Sequence, residues 1–145
     1  MEAYRGKTIN TDMKAKEIVN AYYQAVTEGR FEDIPKYKPP NATYWISGEN
    51  SWPLGGQRTP EDMGETFKLI QERFPKGLKI TVRSIIAEEN NVVVHINNYA
   101  ERIDGKIYDN EIVVFMKIEN GLIVEEKEFL DTIHVNELFC GKLIG

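Results

Sequence analysis

The sequence predicts an α+β domain in which N-terminal helices cover a strongly curved antiparallel β-sheet. Apolar residues recur at helical spacing only in the first half of the 145 residues, and strand-like alternation dominates residues 78–132. Asp-Gly and Asn-Gly turns divide those strands into a meander. Helices followed by consecutive hairpins are typical of α+β folds. A twisted sheet wrapped by helices on its concave face forms a cone, and such a cone encloses a pocket.

The first helix is predicted to begin at Thr11 or Asp12, either of which can cap it, and to end at Gly29. Residues 1–10 are polar and aperiodic, so we expect a flexible N-terminal arm, a single domain over residues 11–137 and a C-terminal tail over residues 138–145. A short helical segment over residues 31–37 precedes a pair of prolines that enforces extended backbone. One face of the first helix is apolar and carries Ala15, Ile18, Val19, Tyr22, Ala25 and Val26.

A short strand over residues 41–47 is rich in aromatic and β-branched side chains. A glycine-rich loop over residues 48–58 follows, and the second helix begins at Thr59-Pro60, where threonine is a good N-cap and proline a good first-turn residue. Four strands complete the domain. In the first of them Ser84-Ile-Ile-Ala interrupts the alternation, which indicates a β-bulge. The last strand is predicted to run from the Asn120-Gly121 turn to Asp131.

Composition excludes several classes of function. A net charge of −5 with scattered Lys and Arg argues against a nucleic-acid partner, because phosphate binding requires clustered positive charge. Cys140 is the only cysteine, which rules out an intrachain disulfide and a cysteine-based zinc site. The sequence has no apolar run of membrane-spanning length, no signal-peptide pattern and no nucleotide-binding motif. We therefore expect a cytoplasmic protein with no cofactor, no metal site and no membrane contact.

Three segments of the second half follow one another in a recognisable order: Gly105-Lys-Ile-Tyr108-Asp-Asn110 leading into Val113-Val-Phe115, then Asn120-Gly121-Leu-Ile123, then Glu128-Phe-Leu-Asp131-Thr132. Together with the order of elements over residues 12–135, they resemble the SnoaL-like and ketosteroid isomerase-like group of the nuclear transport factor two-like superfamily. The resemblance implies a curved sheet around a deep apolar pocket, often in a homodimer formed through the sheet. It does not fix the activity, because that superfamily includes isomerases, cyclases, dehydratases, hydrolases and non-catalytic binding modules.

Asp131 is the first candidate for a catalytic residue. In SnoaL-like cyclases an aspartate on the last strand acts as the general base, and Asp131 is the position that resembles it best. A carboxylate in an apolar cavity has its charged form disfavoured, which raises its pKa toward the range useful for proton abstraction. The alternative is an aspartate at the end of a strand that caps a turn with Thr132.

Two neighbouring strands supply further candidates. His95, Asn97 and Tyr99 share one face of their strand, where His95 can exchange a proton and Tyr99 can donate to an enolate oxygen. The alternative is that this face packs on a partner subunit or is half exposed. Tyr108 and Asn110 share a face of the next strand, and Asn110 can bind a substrate carbonyl or satisfy backbone at a strand end.

The remaining candidates are aromatic side chains and a second carboxylate. Strict alternation places Glu128 and Asp131 on opposite faces, so Glu128 reaches the pocket only if a bulge intervenes; otherwise it is solvated, as is Glu126. Trp52 has no periodic reason to be buried, and we expect its loop to close over a ligand. An aromatic lining of the pocket is expected from Tyr22, Tyr44, Trp45 and Trp52.

Two functions remain open from the sequence. The first is a cofactor-independent isomerase, cyclase or dehydratase that removes a proton next to the carbonyl group of a small apolar substrate. The second is a non-catalytic module of the same fold that binds a small ligand or docks a protein. In both cases we expect a homodimer.

Overall fold

The computed structural model describes the backbone of residues 2–144 and the side chains of residues 13–144. It is an α+β fold with three α-helices, one 3₁₀ helix and a six-stranded sheet within those residues. In chain order the elements are α1 (Glu2–Thr27), the 3₁₀ helix (Phe31–Lys36), β1 (Thr43–Ile46), β2 (Gly56–Arg58), α2 (Pro60–Arg73), β3 (Lys79–Glu88), β4 (Asn91–Glu101), β5 (Ile107–Glu119), β6 (Leu122–Phe129) and α3 (Thr132–Cys140).

The sheet has the strand order β2-β1-β6-β5-β4-β3. Strands β3 to β6 form the predicted antiparallel meander. Strand β1 pairs parallel to β6, so the sheet is mixed and not purely antiparallel as the sequence predicts. This pairing joins the N-terminal part of the chain to the last strand, and no local sequence signal specifies it.

Several local predictions are confirmed. The Thr59 hydroxyl accepts a hydrogen bond from the Asp62 N–H at 3.1 Å, and the Asp62 carboxylate accepts one from the Thr59 N–H at 2.9 Å, which forms a capping box. Asn120 and Gly121 have φ angles of 51° and 77°, as a tight hairpin between β5 and β6 requires. The predicted bulge in β3 lies between Val82 and Ser84.

Both ends of the chain differ from the prediction. Helix α1 begins at Glu2 and not at residue 11 or 12, so residues 2–10, which we expected to form an arm, are helical. At the other end, residues 132–140 form helix α3, where the sequence predicts the end of a strand and a tail. The buried side chains of α3 are Val135, Leu138 and Phe139. They occupy positions i, i+3 and i+4, which lie on one face of a helix.

A second bulge, not predicted, lies in β6. Ile118 pairs with Ile123, but Lys117 pairs with Glu125, so Val124 is an extra residue on β6. One extra residue reverses the direction of every side chain that follows it. Beyond Val124, the inward-facing positions of β6 are therefore Glu126 and Glu128.

Two apolar clusters fill the cone. The first packs α1 on the inner face of β4 and β5, through residues such as Val19, Val94 and Val114. The second packs α2 and α3 on the other end of the sheet, through Phe74 and Phe139 among others. Among the described residues, none of the helices has the length and apolar character needed to cross a membrane.

Candidate functional site

A cavity of about 100 Å³ lies inside the cone, between the two apolar clusters. Its walls come from α1, β1, the loop before β2, α2, α3 and the inner face of the sheet. Most lining side chains are apolar, among them Ile46, Ile96 and Leu130. The polar side chains in this lining are Tyr22, Tyr23, Tyr44, Thr66, Asn98, Tyr108 and Glu128, together with the Trp52 indole.

Glu128 is the carboxylic acid of the cavity. Burial, reinforced by the negative charge of Glu126, raises its pKa from an ordinary value of 4.5 to about 7. A hydrogen bond from the Tyr44 hydroxyl and the positive charge of Lys38 oppose this rise without cancelling it. At neutral pH a glutamate with such a pKa is ionised in a substantial fraction of molecules, and its carboxylate is a stronger base than that of an ordinary glutamate.

Glu126 lies two residues earlier on the same face of β6 and forms an ion pair with Lys38. The Glu126 side chain is 1% exposed and the Lys38 side chain 11% exposed, so the pair is buried. Burial is the largest single influence and by itself lowers the pKa of Lys38, but the charges of Glu126 and Tyr22 and the hydrogen bonds to both together outweigh it, so the net shift is upward. The Lys38 ammonium also donates to the Tyr22 hydroxyl at 3.3 Å, and it lies 5.1 Å from the ring centroids of Tyr22 and Tyr44.

Four tyrosines around these acids remain protonated at any physiological pH. Burial is the largest cause of a raised pKa in each of Tyr22, Tyr23, Tyr44 and Tyr108. The charges of Glu126 and Glu128 raise the pKa of the first three further, and the charge of Glu128 also raises that of Tyr108. Each hydroxyl thus keeps its proton and can donate a hydrogen bond, and that of Tyr44 already donates to Glu128.

Two of the polar side chains that line the cavity are incompletely satisfied. The Tyr23 hydroxyl and the Asn98 side-chain oxygen are buried and have no hydrogen-bond partner among the described residues. Buried polar atoms are almost always paired, so an unpaired one requires an explanation. A bound ligand that completes these hydrogen bonds is such an explanation, because both residues line the same cavity.

Five of the predicted site residues do line the cavity: Tyr22, Tyr44, Trp52, Tyr108 and Glu128. Trp52 is buried, and its indole N–H donates to the Ser47 carbonyl at 2.9 Å. The loop closes tightly around this ring, since a Cβ on Gly48 would lie only 2.8 Å from Trp52 Cδ1. Trp52 therefore forms part of the cavity wall.

Asp131 does not lie in the cavity. It is exposed, and its carboxylate accepts a hydrogen bond from the His134 N–H at 3.0 Å as the N-cap of α3. The predicted location is wrong because the strand ends before Asp131 and a helix begins there. Asn110 is buried and holds the same junction, donating to the Asp131 carbonyl at 3.2 Å and accepting from its N–H at 3.1 Å. The sequence allows two roles for Asn110, binding of a substrate carbonyl or hydrogen bonding to backbone at the end of a strand. These contacts correspond to the second role.

Four other predicted residues lie on the outer face of the sheet. His95 contacts the exposed Glu111 at 3.2 Å, and the Asn97 amide donates to Asp109 and Glu111 at 2.6 Å each. Tyr99 is 42% exposed. Trp45 packs on Phe129, with ring centroids 5.4 Å apart. The expectation that they line the pocket is wrong, because alternation in β4 and β1 turns these side chains outward.

Sequence reasoning missed Tyr23, Lys38, Asn98 and Glu126. A signal existed for Asn98, which occupies an inward position in β4 between Ile96 and Ala100. A polar residue in an otherwise apolar row requires a partner, so the interruption itself marks a site. No such signal existed for the ion pair, because Lys38 and Glu126 are far apart in sequence.

No group of three or more side chains suited to a metal ion comes together within the described part of the chain. His134 is engaged elsewhere, since its Nε2 accepts a hydrogen bond from the Asp109 N–H at 3.1 Å. Its ring stacks on Tyr108 at a centroid distance of 5.3 Å.

The family model described as a SnoaL-like domain matches residues 19–126. No curated protein matches the sequence.

Solved structures share the fold at low sequence identity. PrhC from Penicillium brasilianum is 16% identical with a TM-score of 0.78, over 88% of this chain and 87% of that protein. AclR from Streptomyces galilaeus, a candidate hydroxylase, is 18% identical with a TM-score of 0.72, over 86% and 93%. IdmH from Streptomyces antibioticus, a candidate polyketide cyclase, is 18% identical with a TM-score of 0.68, over 82% and 93%.

Proposed function

Because this chain belongs to the SnoaL-like domain family, we propose that it is a cofactor-independent enzyme that moves a proton next to the carbonyl group of a small apolar compound. The observation that carries the proposal is the Glu128 carboxyl, whose pKa of about 7 arises inside an apolar cavity. A fold shared with a candidate polyketide cyclase agrees with this chemistry. Isomerisation, cyclisation and dehydration all begin with such a proton transfer.

In this proposal Glu128 is the general base. The ionised carboxylate removes a proton from the carbon next to the carbonyl and becomes the neutral acid. Returning that proton to a different carbon completes an isomerisation. A base is most effective when its pKa lies near the working pH, since it is then both ionised and basic. The apolar lining excludes water that would otherwise solvate the carboxylate and lower its basicity.

Tyr23 stabilises the enolate. Removal of the proton leaves negative charge on the carbonyl oxygen, which is best stabilised by donors already in place. The Tyr23 hydroxyl is protonated and has no partner among the described residues, so it can donate to that oxygen. The unpaired atom of Asn98 is its side-chain oxygen, an acceptor, so a hydroxyl or N–H elsewhere on the ligand would satisfy it.

The Glu126–Lys38 pair supports the base without touching the substrate. The charge of Glu126 makes Glu128 more basic, and Lys38 neutralises Glu126 so that two carboxylates can be tolerated on one face. Both residues are therefore positioning residues, and we expect their replacement to shift the pH dependence of turnover.

The proposal can be tested without the natural substrate. Exchange of deuterium from D₂O into the carbon next to the carbonyl of a small cyclic ketone, such as cyclopentanone, reports proton abstraction and is followed by NMR. We expect the protein to accelerate this exchange, with a rate that rises with pH through about 7 as Glu128 ionises. Glu128→Gln should reduce the acceleration by about 10²- to 10⁴-fold, the range typical of a general base.

Asp131→Asn is the matched control. Because Asp131 is exposed and caps α3, its replacement should leave exchange almost unchanged. Loss of exchange in Asp131→Asn, with exchange retained in Glu128→Gln, would return the base to the position that the sequence first indicates. Binding of the ketone to the wild-type protein without any exchange would favour the non-catalytic binding module.

A further inference from the structure

A second concave surface, here called the proline groove, opens on the outside of the cone next to the cavity. It lies between the 3₁₀ helix with the segment that follows it and the start of α2, and it has a volume of about 290 Å³. Its apolar side is formed by residues such as Ile34, Pro39, Pro40 and Pro60. Prolines hold their backbone rigid, so this side of the groove is preorganised.

The proline groove and the cavity share three lining residues, Tyr44, Met63 and Phe67. These side chains therefore separate the outer surface from Glu128. Met63 is flexible, and it can give way without disturbing the backbone of α2. The hydroxyl of Tyr44 hydrogen-bonds to Glu128, so the boundary between the two spaces lies next to the proposed base.

The volumes indicate that a substrate occupies both spaces. The cavity holds about 100 Å³, which is less than the ~150 Å³ of an engineered protein cavity that accepts benzene. A compound much larger than a ring fragment must leave part of itself outside the cavity. The adjoining groove offers almost three times the volume of the cavity.

The proline groove is positively charged. Its lining includes Lys38 and Arg58 and no acidic side chain. Lys38 is neutralised by Glu126, but Arg58 forms no ion pair with any described residue. The Arg58 Nε is buried and likewise has no hydrogen-bond partner in the described part of the chain. Asp62, an acid at the start of α2, lies near enough to Arg58 for the guanidinium charge to contribute to lowering its pKa, but its carboxylate is engaged in the capping box with Thr59 and forms no ion pair with Arg58.

The register of the sheet places Arg58 beside the boundary. Arg58 of β2 pairs directly with Tyr44 of β1. Residues that pair directly in an antiparallel ladder project to the same face with their Cβ atoms close together. An anion bound by Arg58 is thus next to the side chain that separates the groove from the cavity.

We propose that the proline groove binds the carboxylate of an amphipathic organic acid through Arg58, and that the apolar remainder of the molecule passes Tyr44, Met63 and Phe67 into the cavity. A guanidinium binds a carboxylate in a planar, two-point geometry, which matches an arginine whose donors are unused. The inference narrows the substrate class of the proposed function, from a small apolar compound to one whose apolar part also carries a carboxylate. It rests on that function only for the chemistry at the far end of the molecule.

The test compares two probes of the same shape, 4-phenylbutyrate and its neutral amide, by isothermal titration calorimetry. A charge-assisted hydrogen bond contributes enough that the wild-type protein should bind the acid about 10- to 100-fold more tightly than the amide. Arg58→Gln should abolish that preference and leave the affinity for the amide nearly unchanged. Arg58→Lys, which retains the charge, should keep part of the preference.

Arg83→Gln is the matched control, because Arg83 is an arginine on the outer face of the sheet, away from the proline groove. It should preserve the preference for the acid. Equal affinity for the two probes, a preference that survives Arg58→Gln, or no binding of either probe would overturn the proposal. Circular dichroism of each variant establishes that it is folded.

Failure of this inference and failure of the proposed function give different results. Glu128→Gln should retain the preference for the acid, since Glu128 is not among the groove residues. A preference for the acid together with no ketone exchange would leave the groove in place and remove the proposed chemistry. Ketone exchange without any preference for the acid would remove the carboxylate site in the groove and leave the proposed chemistry in place.

Discussion

The two faces of the same sheet depart from ordinary alternation in opposite ways. On the inner face, where apolar residues are expected, β6 carries Glu126 and Glu128. On the outer face, where polar residues are expected, Phe115 and Phe129 are 49% and 44% exposed and pack on each other. An antiparallel sheet with one solvated face usually shows the reverse pattern. For each departure we propose a partner: a substrate on the inner face and a second copy of the chain on the outer face.

The ion pairs on the two faces sharpen this contrast. Lys38 and Glu126 form a buried pair inside the cone, whereas Arg83 and Glu111 form an exposed pair on the outer face, 2.5 Å apart. A charge that loses its partner inside the protein remains desolvated, but one that loses its partner at the surface is hydrated. The same substitution should have different consequences on the two faces.

The largest expected effect follows from removal of Lys38. Lys38→Met leaves Glu126 buried without a counter-charge and should lower the free energy of unfolding by about 3–5 kcal/mol. Urea denaturation monitored by circular dichroism measures this difference. Adding Glu126→Gln to Lys38→Met should recover much of the loss, because no uncompensated charge remains. Arg83→Met is the control and should cause no resolvable change; equal effects of the two single variants would contradict the contrast between the faces.

A smaller effect concerns the pH dependence of stability. The pKa of Glu128 is about 7 in the folded protein against 4.5 for an ordinary glutamate, so the folded state binds more protons between these values. Stability therefore falls as the pH rises through this window, by up to about 3 kcal/mol. Relative to that of the wild type, the free energy of unfolding of Glu128→Gln should rise by this amount between pH 4 and pH 8. Urea titrations at several pH values measure the difference.

Glu111 on the outer face provides a control of opposite sign. Hydrogen bonds from Arg83 and Asn97 lower its pKa, so its contribution to stability is present above the ordinary pKa of a glutamate and is lost as the pH falls. Glu111→Gln should therefore leave the fall in stability between pH 4.5 and pH 7 in place. A profile unchanged in Glu128→Gln would contradict the raised pKa.

A substitution on the outer face should have the smallest effect on the stability of the fold. We propose that this face joins two copies of the chain, because a shallow depression of about 320 Å³ between Phe115 and Phe129 is bordered by Lys117, Glu125 and Lys127, which carry both signs of charge. A surface with both signs can be complementary to itself across a twofold axis. Phe115→Glu should convert a dimer to a monomer in sedimentation velocity experiments without loss of helix or strand content.

Ile133→Glu is the control for the dimer, since Ile133 is 82% exposed on α3, away from this face. It should leave the sedimentation coefficient unchanged. A wild-type protein that is monomeric at all concentrations would remove the homodimer from consideration.

Much of the fold could be predicted from the sequence because its signals are local. The capping box at Thr59, the turn at Asn120-Gly121 and the bulge before Ser84 each depend on a few adjacent residues. The parallel pairing of β1 with β6 is not local, and neither is the ion pair of Lys38 with Glu126. These features arise only when distant segments meet.

The candidate site was harder to predict than the fold. Asp131 resembles a base in sequence, but an aspartate followed by a helix is also an N-cap, and the helical spacing of Val135, Leu138 and Phe139 decides between the two. The direction of Glu128 depends on the bulge at Val124, which has no glycine or proline to announce it. The local sequence pattern therefore could not decide whether Asp131 or Glu128 lies in the cavity.

The extra residue at Val124 has a consequence for how this fold changes over time. Deleting Val124 alone would join Ile123 directly to Glu125, so Glu126 and Glu128 would keep their pairing with Met116 and Val114 and stay in the interior. If the bulge were lost with every residue kept, the strand would slip by one position, which would turn Glu126 and Glu128 to the solvent side and Glu125 and Lys127 to the interior. A relative that lacks both the bulge and one residue of this turn can therefore keep its interior acids, whereas a relative of equal length without the bulge would expose them.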